Sequence, residues 1–176
     1  MYSRETGLPF AVYAYAASIL SHPTSRHIGR DYSMTRDDAA RMVRTLLDAH
    51  GAGRAAEVFE GGDVFGVMLG RAELFFEYDE DGGVLNCAAL VYRFRREPRA
   101  GVLQRFFAEE AGGAADASGG SLEYRHDTRA LLLNRFYREP VPASEFAADV
   151  KRLAEASLIW ADEILERVAS SATREN

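Results

Sequence analysis

Catalysis or metal binding needs titratable or nucleophilic side chains at set spacings, and this sequence offers few. Its histidines, His22, His27, His50 and His126, are scattered, without an H-x-x-x-H pair or a cysteine pair, so they do not read as zinc ligands. Asp79-Glu80-Asp81-Gly82-Gly83 opens like a calcium loop, but an EF-hand places a bidentate Glu at its twelfth position, where this chain has Leu90. The run reads instead as a hairpin turn. Gly119-Gly120-Ser121-Leu122-Glu123 misses the last glycine of a G-x-S-x-G elbow, and Ala148, three residues before Lys151, excludes S-x-x-K. There is no G-x-x-x-x-G-K-[ST] loop, and no G-x-G-x-x-G follows a strand. Cys87 lies in an apolar run and reads as a small buried hydrophobe in a reducing compartment. No enzyme, metal or cofactor chemistry is therefore expected.

Binding remains, and composition narrows what could be bound. The chain has 176 residues and a formal net charge of −6, which opposes nucleic-acid binding through phosphate neutralisation. Arg93, Arg95, Arg96 and Arg99 could meet an acidic partner, but Phe94 alternates among them as in a strand with a basic, solvated face and end. The apolar stretch from Leu8 to Leu20 is too short to span a bilayer. Ala14-Tyr15-Ala16 resembles a signal-peptidase site, yet Glu5 offsets Arg4 before it, so residues 1–34 are read as an N-terminal arm.

The elements follow from periodicity. Thr35 caps a helix over Arg36 to His50, with Ala39, Met42, Val43, Leu46 and Leu47 on its apolar face and Gly51 as its stop. A loop follows, with a short strand possible at Ala55 to Phe59. Three strands come next, Val64 to Leu69, Ala72 to Tyr78 and Val84 to Phe94, with breaks so short that the strands must be antiparallel neighbours. In the second, Leu74 and Phe76 face one way while Glu73, Phe75 and Glu77 face a partly wet side. Pro98 opens a second helix to about Glu110, carrying Val102, Leu103, Phe106 and Phe107. After a loop of small residues, Ser121 to His126 and Ala130 to Tyr137 form a hairpin around Asp127-Thr128. The last helix, Ser144 to Ala169 with Ser144 as N-cap, sets Phe146, Val150, Leu153, Ser157, Trp160 and Ile164 in one stripe, widened by Leu158, Ala161, Leu165 and Val168. Trp160 on that stripe reads as a core anchor. The expectation is one α+β domain over 35–170, followed by a tail at 171–176. It should hold an antiparallel twisted sheet of about five strands with three helices in the order α-βββ-α-ββ-α.

That order, with Leu122-Glu123-Tyr124, Leu131-Leu132-Leu133 and the series Phe146, Val150, Trp160 and Leu165, resembles the type III secretion chaperone family, also called Tir chaperone or CesT-like. The likeness runs from about Arg36 to Val168. The arm and the Gly112 to Gly120 loop depart from the family pattern, and YbjN-like proteins, regulatory or interaction domains without a secretion client, are a related alternative. The resemblance implies a small cytoplasmic homodimer that holds an extended segment of a client, effector-like protein without ATP. An antiparallel sheet with a free edge can accept such a segment, with apolar grooves taking its side chains. Met42, Val43, Leu46, Val64, Phe65, Val67 and Leu69 are the candidates for client binding. By the same resemblance Val102, Leu103, Phe106 and Phe107 would form the dimer contact. No cofactor, metal, nucleic acid or membrane is implied.

Overall fold

The computed structural model describes residues 33–51, 57–98, 100–110 and 120–173. Its elements are α1 (Arg36–Ala49), β1 (Val64–Leu69), β2 (Ala72–Asp79), β3 (Val84–Arg93), α2 (Ala100–Glu110), β4 (Ser121–Arg125), β5 (Ala130–Tyr137) and α3 (Ala143–Thr173). Every strand pair is antiparallel, and the sheet order is β1-β2-β3-β5-β4. The first three strands form the expected meander. The last hairpin inserts β5 beside β3, which leaves β1 and β4 as the edges. Val91 is the extra residue of a register shift between β3 and β5.

One face of the sheet is the core. Phe65, Phe76 and Cys87 form one cross-strand row, and Val67, Leu74, Ala89 and Leu133 form the next. Across them lies α3, about 46 Å long at 1.5 Å per residue, with Phe146, Val150, Leu153 and Ile164 buried. The Phe146 ring sits 6.2 Å from Phe76 and 5.2 Å from Tyr137, the latter edge-on. On the same side α1 packs Ala39, Val43, Leu46 and Leu47. The 3.6-residue stripes of both helices thus meet the period-two stripe of the strands, which is why this face excludes water.

Local chemistry fixes the ends. Thr35 Oγ1 accepts from the Asp38 N–H at 3.1 Å and donates to the Asp38 carboxylate at 2.6 Å, capping α1. Those contacts, the Thr35 hydroxyl bond first among them, hold the Asp38 carboxyl below its usual range. In the Asp79-to-Gly83 turn, Asp79 Oδ1 accepts from the Gly82 N–H at 3.1 Å. Gly83 has φ +57°, and a Cβ there would lie 2.6 Å from Ser33 Cβ, so glycine is required. Next to this turn Met34, itself buried, donates its N–H to the carbonyls of Gly83 and Arg138 and accepts the Tyr78 hydroxyl. Met34, expected in the arm, is thus packed into the body.

Several expectations are corrected. Ser144 is not the cap: the Pro142 carbonyl already accepts from the N–H of Glu145 and Phe146, so α3 starts at Ala143, and it runs on to Thr173. Of the possible strand at Ala55 to Phe59, residues 55 and 56 lie outside the described residues; Glu57 to Glu60 form a turn with Phe59 at φ +61°. Pro98 precedes α2 instead of opening its first turn. The break in the last hairpin spans His126 to Arg129, with Arg129 at φ +53°. Glu77 is not wet but 7% exposed. The arm, the signal-peptide reading, most of the small-residue loop and the end of the tail lie outside the described residues.

A charged cluster sits inside the core, where the sequence showed only an apolar stripe. Asp149, 1% exposed on α3, accepts from Arg135 at 2.7 Å and from the Tyr137 hydroxyl at 3.2 Å, and it also pairs with Arg152. Cys87 is the cross-strand partner of Arg135 and is fully buried. Burial pushes its thiol far above the ordinary cysteine range, with Arg135 opposing and Asp149 adding to the shift. A thiol held neutral this way is inert. Native protein treated with an aromatic disulfide reagent should thus show no thiol release on the minutes timescale, and one thiol per chain after denaturation. Rapid release from the native chain would contradict this burial.

Candidate functional site

The outer edge of β1 presents backbone groups beside an apolar recess. No described strand pairs with that edge. The Tyr78 N–H donates to the Asp63 carbonyl at 2.8 Å, which marks that pair as hydrogen-bonded. Antiparallel ladders alternate bonded and non-bonded pairs. Phe65, Val67 and Leu69 therefore turn their N–H and C=O toward β2, whereas those of Val64, Gly66 and Met68 point outward. Outward donors and acceptors on a sheet edge are what an added strand pairs with.

Alongside lies a shallow apolar cleft, formed where the last turn of α1 meets β1 and β2. Leu46, Leu47, His50, Val67, Met68, Leu69 and Leu74 line it. His50 caps α1 and its Nδ1 lies 2.8 Å from the Leu46 carbonyl; a carbonyl only accepts, so Nδ1 carries the proton. With an enclosed volume of about 10 Å³, the recess is far smaller than the 300 to 1,000 Å³ common for small-molecule sites and is a shallow apolar contact surface.

The sequence candidates are brought together here, although most of them face inward. Met42, Val43, Leu46, Phe65 and Val67 are buried, and Val64 and Leu69 are half-buried. Leu46, Val67 and Leu69 line the cleft, while Met42, Val43 and Phe65 support it from within the core. Leu47, His50, Met68 and Leu74 are the lining residues that were not among the client-binding candidates. Leu47 and Leu74 were read as apolar core positions, His50 as a helix end and Met68 as part of an undivided strand; the outward phase of β1 was the available signal for Met68. On α2, Phe106 is buried and meets Trp160 edge-on at 5.5 Å, with the Arg167 guanidinium 5.2 Å from its ring. Val102, Leu103 and Phe107 are half-buried, and on α3 Leu165 and Ile159 are exposed. Trp160, half-buried, is the anchor between α2 and α3.

The opposite face of the sheet was not expected to matter. Glu77, Asn86, Ala88, Leu132 and Asn134 are buried there, outside the core cluster, and Phe136 is 56% exposed. A polar chain crosses this face. Arg125 donates to Glu123 and to Glu77 at 3.3 Å each, Asn134 Nδ2 donates to Glu123 at 2.7 Å, and Asn86 Nδ2 donates to Asn134 Oδ1 at 3.4 Å. Among the described residues no group of three or more His, Cys, Asp or Glu side chains is placed to hold a metal ion. No described helix is long and apolar enough to cross a membrane.

The sequence matches no protein family and no curated protein. The fold, however, has known counterparts among solved structures. A chain of the ExsC–ExsE complex superposes with a TM-score of 0.60 at 11% identity, over 73% of this chain and 95% of that one. A chain of the HopA1–SchA chaperone–effector complex gives 0.51 at 18% identity, over 70% of this chain and 96% of that one. The chain thus shares its α+β fold, with the element order that the resemblance implied, with chains of these two complexes.

Proposed function

We propose that this chain is a cytoplasmic, ATP-independent chaperone that holds an extended segment of a client, effector-like protein. The single observation that carries the proposal is the β1 edge, with which no described strand pairs, beside the apolar cleft at the end of α1. Backbone bonds to Val64, Gly66 and Met68 would supply affinity largely independent of sequence, and the cleft would select an aliphatic side chain. The fold shared with a chain of a chaperone–effector complex supports the reading. In this proposal the chain acts as a homodimer through the half-buried Val102, Leu103 and Phe107 of α2 together with exposed Leu165 of α3, while Phe106 anchors α2 to its own chain. In this proposal residues 1–32 form an arm outside the client-binding domain, of which Met34 is part.

Hydrogen exchange of the full chain, with and without the protein encoded beside it, tests the client edge. Slowed exchange at Val64, Gly66 and Met68, with Phe65 and Val67 already slow in the free chain, is the expected result. Protection confined to another surface, with β1 unchanged, would sink the proposal.

A further inference from the structure

Charge on this chain is sorted between the two ends of the sheet. Asp63, before β1, and Asp79, Glu80 and Asp81, at the β2–β3 turn, lie at one end and are exposed. The β1–β2 turn, the end of β3 and the β4–β5 turn lie at the other, because Leu74 pairs with Ala89 and Arg93 with Ala130 in antiparallel registers. That second end carries Arg71, Arg93, Arg95, Arg96 and Arg129, all exposed. Two bonds draw the hairpin onto the end of β3: the Phe94 N–H donates to the Arg129 carbonyl at 2.9 Å, and the Arg129 guanidinium donates to the Arg95 carbonyl at 3.1 Å.

The acids nearby are engaged elsewhere. One oxygen of Glu97 accepts from the Tyr124 hydroxyl and the other meets His126 Nδ1, each at 3.0 Å, while Asp127 accepts from the Thr128 hydroxyl at 3.5 Å and Glu73 is half-buried on β2. Among the described residues no carboxylate pairs with Arg71, Arg93, Arg95 or Arg96. Like charges gathered this way repel one another, so the fold gains nothing from them without an anionic partner. The net charge of −6 opposes a polyphosphate. The aromatic rings here, Tyr92, Phe94 and Tyr124, pack edge-on against one another at 4.8 and 5.8 Å instead of offering faces to a base. An acidic peptide fits this surface better.

The β1 edge leads to it. Because β1 ends at Leu69, a strand added along Val64, Gly66 and Met68 leaves the sheet beside Arg71. From there the end of β3 is three strand spacings away, about 14 Å, which roughly four or five extended residues cross. We propose that the arginine end of the sheet is a docking surface for an acidic flank of the client, the stretch that continues past Leu69 from the strand added to β1. Guanidinium forks take carboxylates two-pronged, so glutamate and aspartate are the residues selected. The inference rests on strand addition at β1 and adds to it the charge of the neighbouring segment.

The test uses the full chain and capped peptides in which six alternating threonine and valine residues are joined through glycine-serine to four glutamates or four glutamines. Each is made with the flank at either end, and binding is followed by fluorescence anisotropy. In one of the two orientations the glutamate peptide should bind about 10-fold tighter than its glutamine counterpart at about 50 mM salt, and the advantage should shrink at about 300 mM. Replacing Arg93, Arg95 and Arg96 together by glutamine should reduce that preference below about 2-fold, whereas replacing Arg44, Arg138 and Lys151, exposed cations elsewhere, should preserve it. If the first variant does not fold, the side-chain Nε–H resonances of Arg93, Arg95 and Arg96 in the wild-type chain give the answer: they should shift with the glutamate peptide and stay in place with the glutamine peptide. Equal binding of the two flanks, or a preference that survives loss of the three arginines, overturns the docking surface and leaves strand addition standing. Tighter binding of a short oligothymidylate than of the glutamate peptide would overturn it in favour of nucleic acid. Undiminished binding of the tetraglutamate flank alone would keep the arginine surface and remove strand addition, and failure of every peptide to bind removes both readings.

Discussion

Replacing Asp149 with alanine is expected to lower stability by about 3 to 5 kcal/mol, the cost of breaking a buried pair and leaving its partners uncompensated. Asp149 is 1% exposed, and the Arg135 side chain beside it is 28% exposed on a core-facing position of β5. Without the carboxylate, the Arg135 guanidinium keeps its charge and the Tyr137 hydroxyl loses its acceptor. Burial first, then Cys87 and Asp149, push the Tyr137 phenol above its usual range, so it stays a neutral donor that needs a partner. Arg152 adds little to the loss, since its side chain is 56% exposed. Asp149→Asn keeps an acceptor for Tyr137 but not the charge, so it should fall between wild type and alanine. Replacing Asp149, Arg135 and Tyr137 together by Leu, Leu and Phe should recover most of the loss, because the penalty lies in the orphaned groups. Urea unfolding followed by circular dichroism measures all three. A cost below about 1 kcal/mol for Asp149→Ala would mean that the cluster is hydrated and does not pin α3 to the sheet.

This cluster also shows where reading the sequence stops. The strands at Val64–Leu69 and Ala130–Tyr137 were legible to the residue, because period-two runs between glycine or polar breaks leave little choice of phase. The apolar stripes of α1 and α3 were legible for the same reason. Asp149 was not, because it adjoins the stripe and its partners come from another strand. The available signal was Arg135, a charge on the inward phase set by Leu131, Leu133 and Tyr137, which demands a buried counter-charge somewhere. Glu77 was misread for a related reason. Alternation tells which face a residue takes, but not whether that face is covered, and Glu77 is buried within a polar chain on the face away from the helices. The candidate site was half legible. Periodicity gathered Leu46, Val67 and Leu69, but only sheet order shows that β1 is an edge, and only the ladder's hydrogen-bond phase shows which of its residues face outward.

That phase makes the second large prediction specific. Gly66 lies midway along β1, opposite Phe75, with its N–H directed away from β2. Gly66→Pro should remove the central outward donor while leaving the β1–β2 bonds of Phe65 and Val67 intact. Proline is tolerated on an edge strand in this orientation, and glycine gives up no packed side chain there. Val67→Pro is the contrasting change: its N–H bonds toward Leu74, so the ring breaks the ladder inside the sheet and exposes the cleft lining. The expected pattern is a Gly66→Pro protein with unfolding free energy within about 1 kcal/mol of wild type, but with client affinity reduced 10-fold or more through one lost backbone bond and the ring's bulk. Val67→Pro should lose the fold itself. Calorimetric titration of client segment into the wild-type and Gly66→Pro chains separates these outcomes. Wild-type affinity in a folded Gly66→Pro chain would place the client off the β1 edge. Loss of affinity with stability intact would instead show that this edge is the binding element and that the helices serve to hold it open.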